Sequence, residues 1–398
     1  MGQQKYNIGI VGAGVAGLST ALALLKAGHQ VSVFEKACEL GEVGAGLQLS
    51  GNATRVLSSL GVLGEVRRAG FLPQGLKMLH WKTGRTIARF SQNSNADVGD
   101  TPYIHIHRAD LHAILLAAVI DIAPEAIVTD AEVVSVKNSE KTASIQFNNK
   151  TEKSFDWVVG ADGIHSVVRP TAISITDASH FTGNVAWRGL IPISSLQEKP
   201  ESLTHLVMGP GGHVVFYYVS GGDAVNYVAV VERSDWEKES WTEKGSVTEM
   251  LRDFDGWTVD VLKLLEKSNP AQSYRWALHD RDPLSTWSDG RCVILGDAAH
   301  PMLPFLAQGA AMGIEDAQAL VHCLDTFPAS DVGEEFFALR GKRTARVQLA
   351  ARKNMIVFHE RSGLVRFVRD RVLSIMGIIY PEFMNRKLRW LYDYRLRD

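Results

Sequence analysis

Cysteine is scarce in this 398-residue chain: Cys38, Cys292 and Cys323 are all it has, and no two form a C-x-x-C pair. That excludes a disulfide framework, argues against a structural zinc site and implies a reducing, cytoplasmic setting. Long apolar runs are also missing. The longest, residues 111–122, contains His112 and Asp121 and falls short of the roughly 20 residues a membrane helix needs. The first five residues are mostly polar and lead straight into an apolar strand, so neither a secretory leader nor a membrane partner is expected. A large charge of one sign is absent as well, the total being −2. The charge is uneven, however: residues 340–398 hold 15 Lys/Arg against 5 Asp/Glu. These charges alternate with apolar residues at helical spacing, so the segment reads as folded helices with solvated faces and not as a nucleic-acid or membrane patch. With 45% apolar and 22% charged residues, the chain is sized for two or three cooperating globular domains.

What is present begins at residue 7. Asn7-Ile8-Gly9-Ile10-Val11 is a short apolar strand, followed by Gly12-Ala13-Gly14-Val15-Ala16-Gly17, a helix over 18–27, and a second strand over 31–34 that ends at Glu35-Lys36. Gly12 permits the tight turn, Gly14 lets backbone approach a pyrophosphate, and Gly17 lets the helix pack on the strand. The helix start, near Ala16, offers N–H groups and a positive dipole end to phosphate. Glu35 is placed to accept hydrogen bonds from an unphosphorylated ribose, with Lys36 beside it. The unit is therefore a Rossmann-type βαβ dinucleotide site for FAD or NAD.

Two later segments decide between them. An apolar strand ends at Gly160-Ala161-Asp162-Gly163, with Arg169 following, and another ends at Gly296-Asp297-Ala298-Ala299-His300-Pro301 ahead of a helix over 309–324. With the glycine fingerprint, the order and spacing of these segments resemble the three signatures of single-component flavoprotein aromatic hydroxylases, over about 1–325. The resemblance implies that Asp297 serves the ribityl or pyrophosphate region of FAD, and that Asp162, Gly163 and Arg169 serve FAD and the nicotinamide donor. Arg169 is equally readable as a surface ion-pair residue. Arg108 matches a flavin-contacting arginine at a helix start, or else is an exposed helix charge. Gly46 and Leu47 lie where the family's chain passes the isoalloxazine. Gln48 beside them is either a substrate contact or only a strand residue. Gly309 and Ala310 open a helix aimed at the flavin ring, Pro301 and Pro304-Phe305 close the pocket, and Glu315-Asp316 reads as a solvated or helix-pairing acid pair. No second G-x-G-x-x-G is followed by a strand and an acid, so NADH or NADPH would bind transiently.

Between about 180 and 275 the pattern changes to alternating strands at 183–192, 205–208, 213–219 and 225–231, with Gly221-Gly222 turning the last pair. Period two puts His213, Val215, Tyr217 and Val219 on one face. The family resemblance implies an antiparallel substrate domain, with His213 as a base and Tyr217 as an orienting hydroxyl toward a hydroxylated aromatic acid. The alternative is a core-edge pair satisfied by backbone. Arg188 stands ready for a carboxylate or for the donor's phosphates, or for an ion pair within the sheet.

The fold expected is α/β with an α+β insert: FAD-binding domain over 1–180 and 276–330, substrate domain over 181–275, C-terminal helices over 331–398. The activity implied is an NAD(P)H-consuming, O2-dependent FAD monooxygenase acting through a flavin C4a-hydroperoxide on a small aromatic acid, in a monomer or homodimer. Salicylate, decarboxylated to catechol, is favoured by the run 301–310. Pro304 counts against 3-hydroxybenzoate 6-hydroxylation, where relatives tend to carry glutamine, and Gln48 against 6-hydroxynicotinate 3-hydroxylation, where they tend to carry histidine. A flavin-dependent oxidase or dehydrogenase, or a non-enzymatic flavin-binding protein, would use the same nucleotide site.

Overall fold

A computed structural model describes residues 4–41, 45–92, 101–175, 179–233 and 243–396. Its first sheet has six strands, in the order Ser288–Asp289, Cys292–Ile294, Trp157–Gly160, Asn7–Val11, Gln30–Phe34 and Ile127–Val128. Every pair is parallel except the two-residue edge strand Ser288–Asp289. Ile8, Ile10, Val158, Val159, Val293 and Ile294 are almost wholly buried, as continuous apolar runs covered on both faces should be. The registers matter most. Val11 pairs with Gly160, and Gly160 with Ile294, so three strands end side by side. Three motifs more than a hundred residues apart in sequence thus leave the same sheet edge together, where open parallel sheets bind ligands.

The glycine turn is built as its residue types require. Gly12 adopts φ +101°, and a Cβ there would lie 2.5 Å from the Ala161 carbonyl oxygen. A Cβ on Gly17 would collide with the Gly12 carbonyl oxygen, which fixes how closely the helix Val15–Lys26 rides over the turn.

The second sheet has seven strands, in the order Tyr274–Asp280, His180–Pro192, Ala224–Glu232, Gly212–Val219, Thr204–Gly209, Gly75–His80 and Thr86–Ser91. The four strands expected from alternation are present, and Gly221 and Gly222 turn the last pair at φ +64° and +104°. Two features depart from the sequence reading. Strands Gly75–His80 and Thr86–Ser91, taken from the span assigned to the flavin domain, complete this sheet, and Gly75–His80 runs parallel to Thr204–Gly209. Tyr274–Asp280 also carries the sheet past residue 275. Local alternation reveals a strand but not the sheet it joins, because Gly75–His80 and Tyr274–Asp280 find partners 128 and 86–100 residues away in the chain.

On Gly212–Val219, His213, Val215 and Tyr217 face a cleft, while Val214, Phe216 and Tyr218 pack into a core with Trp187 and Phe254. The basic C-terminal segment is helical, as Val332–Phe358, Gly363–Ile379 and Phe383–Tyr392. The first of these packs on Gly309–Thr326, as expected for a return onto the flavin domain, whereas Gly363–Ile379 lies on the outer strand Thr86–Ser91. Among the described residues, no helix is long and apolar enough to cross a membrane.

Because the atom facing Gly17 is backbone, Gly17→Ala has no soft neighbour to displace. The expected cost is at least about 2 kcal/mol, read as a lowered urea midpoint at unchanged slope.

Candidate active site

A cleft of about 470 Å³ runs from the glycine turn to the seven-stranded sheet. Gly14 and Ala16 line one end. A Cβ on Gly14 would meet nothing within 4 Å, so here the backbone is bare toward the cleft. The helix Val15–Lys26 has no side-chain cap and no acid in its first turn, leaving its N–H groups and dipole available to an anion. This is a cradle that fits a pyrophosphate. Glu35 stands behind it: its carboxylate accepts from the Ala13 N–H and the Ala37 N–H, each at 3.0 Å, tying the second strand to the turn. Glu35 and exposed Lys36 do not line the cleft proper.

The middle of the cleft joins distant segments. Gly46, Leu47 and Gln48 come from the strand Gly46–Leu49, Arg108 from the first position of Arg108–Ile122, and Asp297, Pro301 and Pro304 from the turn after Ile294. Gly46 is held by its N–H to Asn226 Oδ1 at 2.7 Å, and a Cβ there would strike Asn226 and Tyr217. The Arg108 N–H donates to the Ala45 carbonyl at 2.8 Å. Asp297 opens onto the cleft but is otherwise enclosed by protein. Enclosure pushes its carboxyl up, against the opposing pull of His300, Arg108 and Arg281. Gly309 and Ala310 begin the helix Gly309–Thr326, whose first turn also faces the cleft with no side-chain cap.

At the far end, His213 and Tyr217 meet the cleft as period two requires, and Arg188 joins them. His213 Nδ1 lies 2.9 Å from His359 Nε2. Burial first, and His359 second, push the His213 imidazole well below its ordinary range, so it is neutral near pH 7. Tyr217 is pushed upward by burial and stays protonated, with Gln48 as its hydrogen-bond partner. Gln48 Oε1 also accepts from Tyr103 Oη at 2.6 Å. The Arg188 guanidinium is buried 5.0 Å from the Trp276 ring centroid, in cation–π range.

Other expected residues turn out to be struts. The Asp162 carboxylate does not line the cleft: Oδ2 accepts from the N–H groups of Val167 (2.7 Å) and Val168 (3.1 Å), holding the turn, while Gly163 presents backbone to the cleft. Arg169 is buried, not a surface residue, and donates to the carbonyls of Ala298 (3.0 Å) and Ile164 (3.2 Å), stapling the second motif to the third. Of the two readings of the acid pair, solvated or helix-pairing, the structure bears out the second, with both acids buried. Asp316 accepts from the Gly296 N–H (3.0 Å) and Arg340 Nε (2.7 Å) and meets His300 at 2.6 Å. Glu315 binds Arg340, Arg343 and Asn52. A strongly basic segment and an acid pair in an apolar helix were visible in the sequence, but not their meeting. His359, Tyr103 and Asn226 gave no local signal.

A family model described as an FAD binding domain matches residues 5–329. The 3-amino-4-hydroxybenzoate 2-monooxygenase of Streptomyces cremeus is 36% identical over 91% of this chain and 90% of its own. The 3-hydroxybenzoate 6-hydroxylase 1 of Aquipseudomonas alcaligenes is 34% identical over 97% of both chains. A solved salicylate hydroxylase substrate complex superposes with TM-score 0.79 at 26% identity, covering 98% of this chain and 96% of that one.

Burial alone would raise the Asp316 carboxyl, but His300 and Arg340 outweigh it and hold it at about 2. A depressed carboxyl stabilises the fold above its unfolded value near 4, and that contribution is lost as pH falls from about 4 to about 2. Asp316→Asn is expected to flatten this limb of the urea midpoint against pH. Arg340→Met, which strands two buried carboxylates, is expected to cost about 3–5 kcal/mol at pH 7 in the same assay.

Proposed function

The chain belongs to the FAD-dependent aromatic hydroxylases, and on that footing we propose that it hydroxylates a small aromatic carboxylate already bearing a ring hydroxyl, which His213 and Tyr217 engage. The observation that carries this reading is the pairing of a neutral imidazole and a protonated phenol on one wall of a mainly apolar cleft. Bound FAD, reduced by NADH or NADPH, supplies the activation of O2 that aromatic hydroxylation needs. In this reading Gly12, Gly14, Ala16 and Gly17 shape the pyrophosphate end, Glu35 and Lys36 flank the ribose, and Gly46, Leu47, Arg108, Asp297, Pro304, Gly309 and Ala310 hold the flavin. Asp162 acts from behind, through the turn it fastens.

The ring's electron density sets the demand on the substrate end. Attack by an electrophilic oxygen is far easier on a phenolate than on a phenol. Holding a phenol of pKa about 10 ionised near pH 8 takes about 2.7 kcal/mol of differential stabilisation. A Tyr217 hydroxyl that stays protonated donates to a phenolate oxygen and favours it over the phenol, and an imidazole at His213 accepts the proton. Leu206, Val215, Trp276 and Phe305 offer the ring an apolar slot that excludes water. Arg188, whose guanidinium lies over Trp276 on this wall, is read as the contact for a carboxylate or for the donor's phosphates, and Gln48 and Pro301 border the same space. Salicylate, favoured by the run 301–310, has the structural likeness behind it. 3-Hydroxybenzoate and 3-amino-4-hydroxybenzoate have the greater sequence identity of the relatives named for them, which weakens the mark that Pro304 sets against the former.

The test is donor oxidation by the purified flavoprotein with salicylate, 3-hydroxybenzoate, 3-amino-4-hydroxybenzoate and 6-hydroxynicotinate, with 18O2 incorporation read by mass spectrometry. At least one acid is expected to stimulate turnover and yield a labelled hydroxylated product. Donor oxidation indifferent to all four would refute the reading. Tyr217→Phe and His213→Ala are each expected to lower kcat with the stimulating acid by about 10²-fold, with flavin retained. An unchanged kcat and pH profile in His213→Ala would remove His213 from that role.

A further inference from the structure

His213 is the inner end of a line of polar groups that reaches the surface. His359, the residue after the helix Val332–Phe358, takes the His213 Nδ1 position at 2.9 Å through its own Nε2. The other ring nitrogen of His359, Nδ1, faces Glu232 Oε1 at 3.9 Å, just beyond hydrogen-bond range. Glu232 ends the strand Ala224–Glu232, is 30% exposed, and is gripped by the Arg361 guanidinium, itself 73% exposed. The His359 backbone pins the ring in place, its N–H donating to the Met355 carbonyl at 3.0 Å and its carbonyl accepting from Gly211 N–H at 3.1 Å. Phe305 and Phe358 close around the two imidazoles. The charged or titratable groups facing His359 are thus His213, Glu232 and Arg361.

We infer that His359 and Glu232 form a proton path carrying the substrate hydroxyl's proton from His213 in the cleft to solvent. The inference rests on the reading of His213 given above. The path starts with N–H on Nδ1 of both rings. The substrate O–H breaks as His213 Nε2–H forms, the His213 Nδ1 proton passes to His359 Nε2, and, when the side chain of Glu232 closes the 3.9 Å gap to hydrogen-bond distance, the His359 Nδ1 proton passes to its carboxylate, which releases it to water. No proton is created or lost, and reversing the sequence at product release resets both rings. At the end His213 donates Nε2–H to the phenolate, which holds the ionised substrate.

The arrangement resolves a difficulty that a lone base would face. Burial lowers His213 well below its ordinary range, and burial with the nearby Arg361 lowers His359 to about 4, so neither ring readily stores a positive charge. Handing one proton on at each ring lets it cross without either imidazolium having to persist. Phe305 and Phe358 pack against the rings, and His213 Nδ1 and His359 Nε2 are each other's partners.

The experiment mixes FAD-loaded enzyme rapidly with whichever of salicylate, 3-hydroxybenzoate, 3-amino-4-hydroxybenzoate and 6-hydroxynicotinate stimulates its turnover, following ionisation of the ring hydroxyl by ultraviolet absorbance and released protons with an indicator dye. Glu232→Gln, which keeps a polar contact for Arg361 but cannot take up the proton, is expected to slow proton release by about tenfold or more, with flavin content unchanged. Glu232→Asp is expected to restore most of the rate, and His359→Gln to behave like Glu232→Gln. Should His359→Gln fail to fold, the surface pair Glu232→Gln and Glu232→Asp carries the test alone. Arg361→Ala, which removes the ion pair but no proton carrier, separates structural loss from relay loss. Release at the parental rate in Glu232→Gln, with phenolate formation abolished in His213→Gln, would overturn the path and leave the role of His213 standing. Phenolate formation unchanged in His213→Gln, or absent from the parent enzyme, would remove that role and the path with it.

Discussion

Asp316 has no exposure to solvent and is gripped from three sides, by the Gly296 N–H, the His300 ring and the Arg340 guanidinium. Burying a carboxylate is expensive unless its partners are fixed and its lone pairs are used, and here both conditions hold. The consequences spread outward. The bond to Gly296 sets the turn that delivers Asp297 to the cleft, and the same helix presents Gly309 and Ala310 to it. Arg340 binds both Asp316 and Glu315, fastening the long C-terminal helix to the flavin sheet, and Glu315 reaches Asn52 in the first turn of the helix Gly51–Ser59. The turn after Ile294, the helix Gly309–Thr326 and the helix Val332–Phe358 therefore hold one relative position. The second link is Arg169, which binds the Gly160 turn to the Ala298 carbonyl.

On that frame the cleft divides into two electrostatic regions. At the sheet edge, uncapped helix starts and Arg108 offer positive potential, with Asp297 as the opposing acceptor. At the seven-stranded sheet, burial keeps His213 neutral and Tyr217 protonated, so these two side chains bring hydrogen-bonding capacity without formal charge beside the Arg188 guanidinium. In the proposed function it is these two side chains that meet the ring hydroxyl of the substrate. The C-terminal helix contributes to both regions: Arg340 locks the flavin side, and His359, beyond the same helix's last turn, touches His213.

Much of this was legible in the residues. The glycine turn, the two later strand-ending motifs and the strand carrying His213 and Tyr217 are local patterns, and local patterns survive translation into structure because backbone sterics and side-chain period act over a few residues. What was illegible depended on partners far away in the chain. Asp162 and Arg169 carry the right motif for a ligand role but spend their polar atoms on backbone. Glu315-Asp316, an ordinary-looking helical pair, is a fully buried ionic node. The strands at 75–80 and 86–91 alternate as strands should, yet nothing near them indicates a partner at 204–209.

The sequence by itself determined the nucleotide cradle, the flavin family and the face on which His213 and Tyr217 lie, since each follows from glycine conformations, strand period or motif order within a short span. Only the tertiary structure decided that Val11, Gly160 and Ile294 end in register, that His359 meets His213, and that Arg340 neutralises two buried acids. Those outcomes turn on long-range strand pairing and on the cost of leaving a buried polar group without a partner, a cost that exists only once the chain has closed around it.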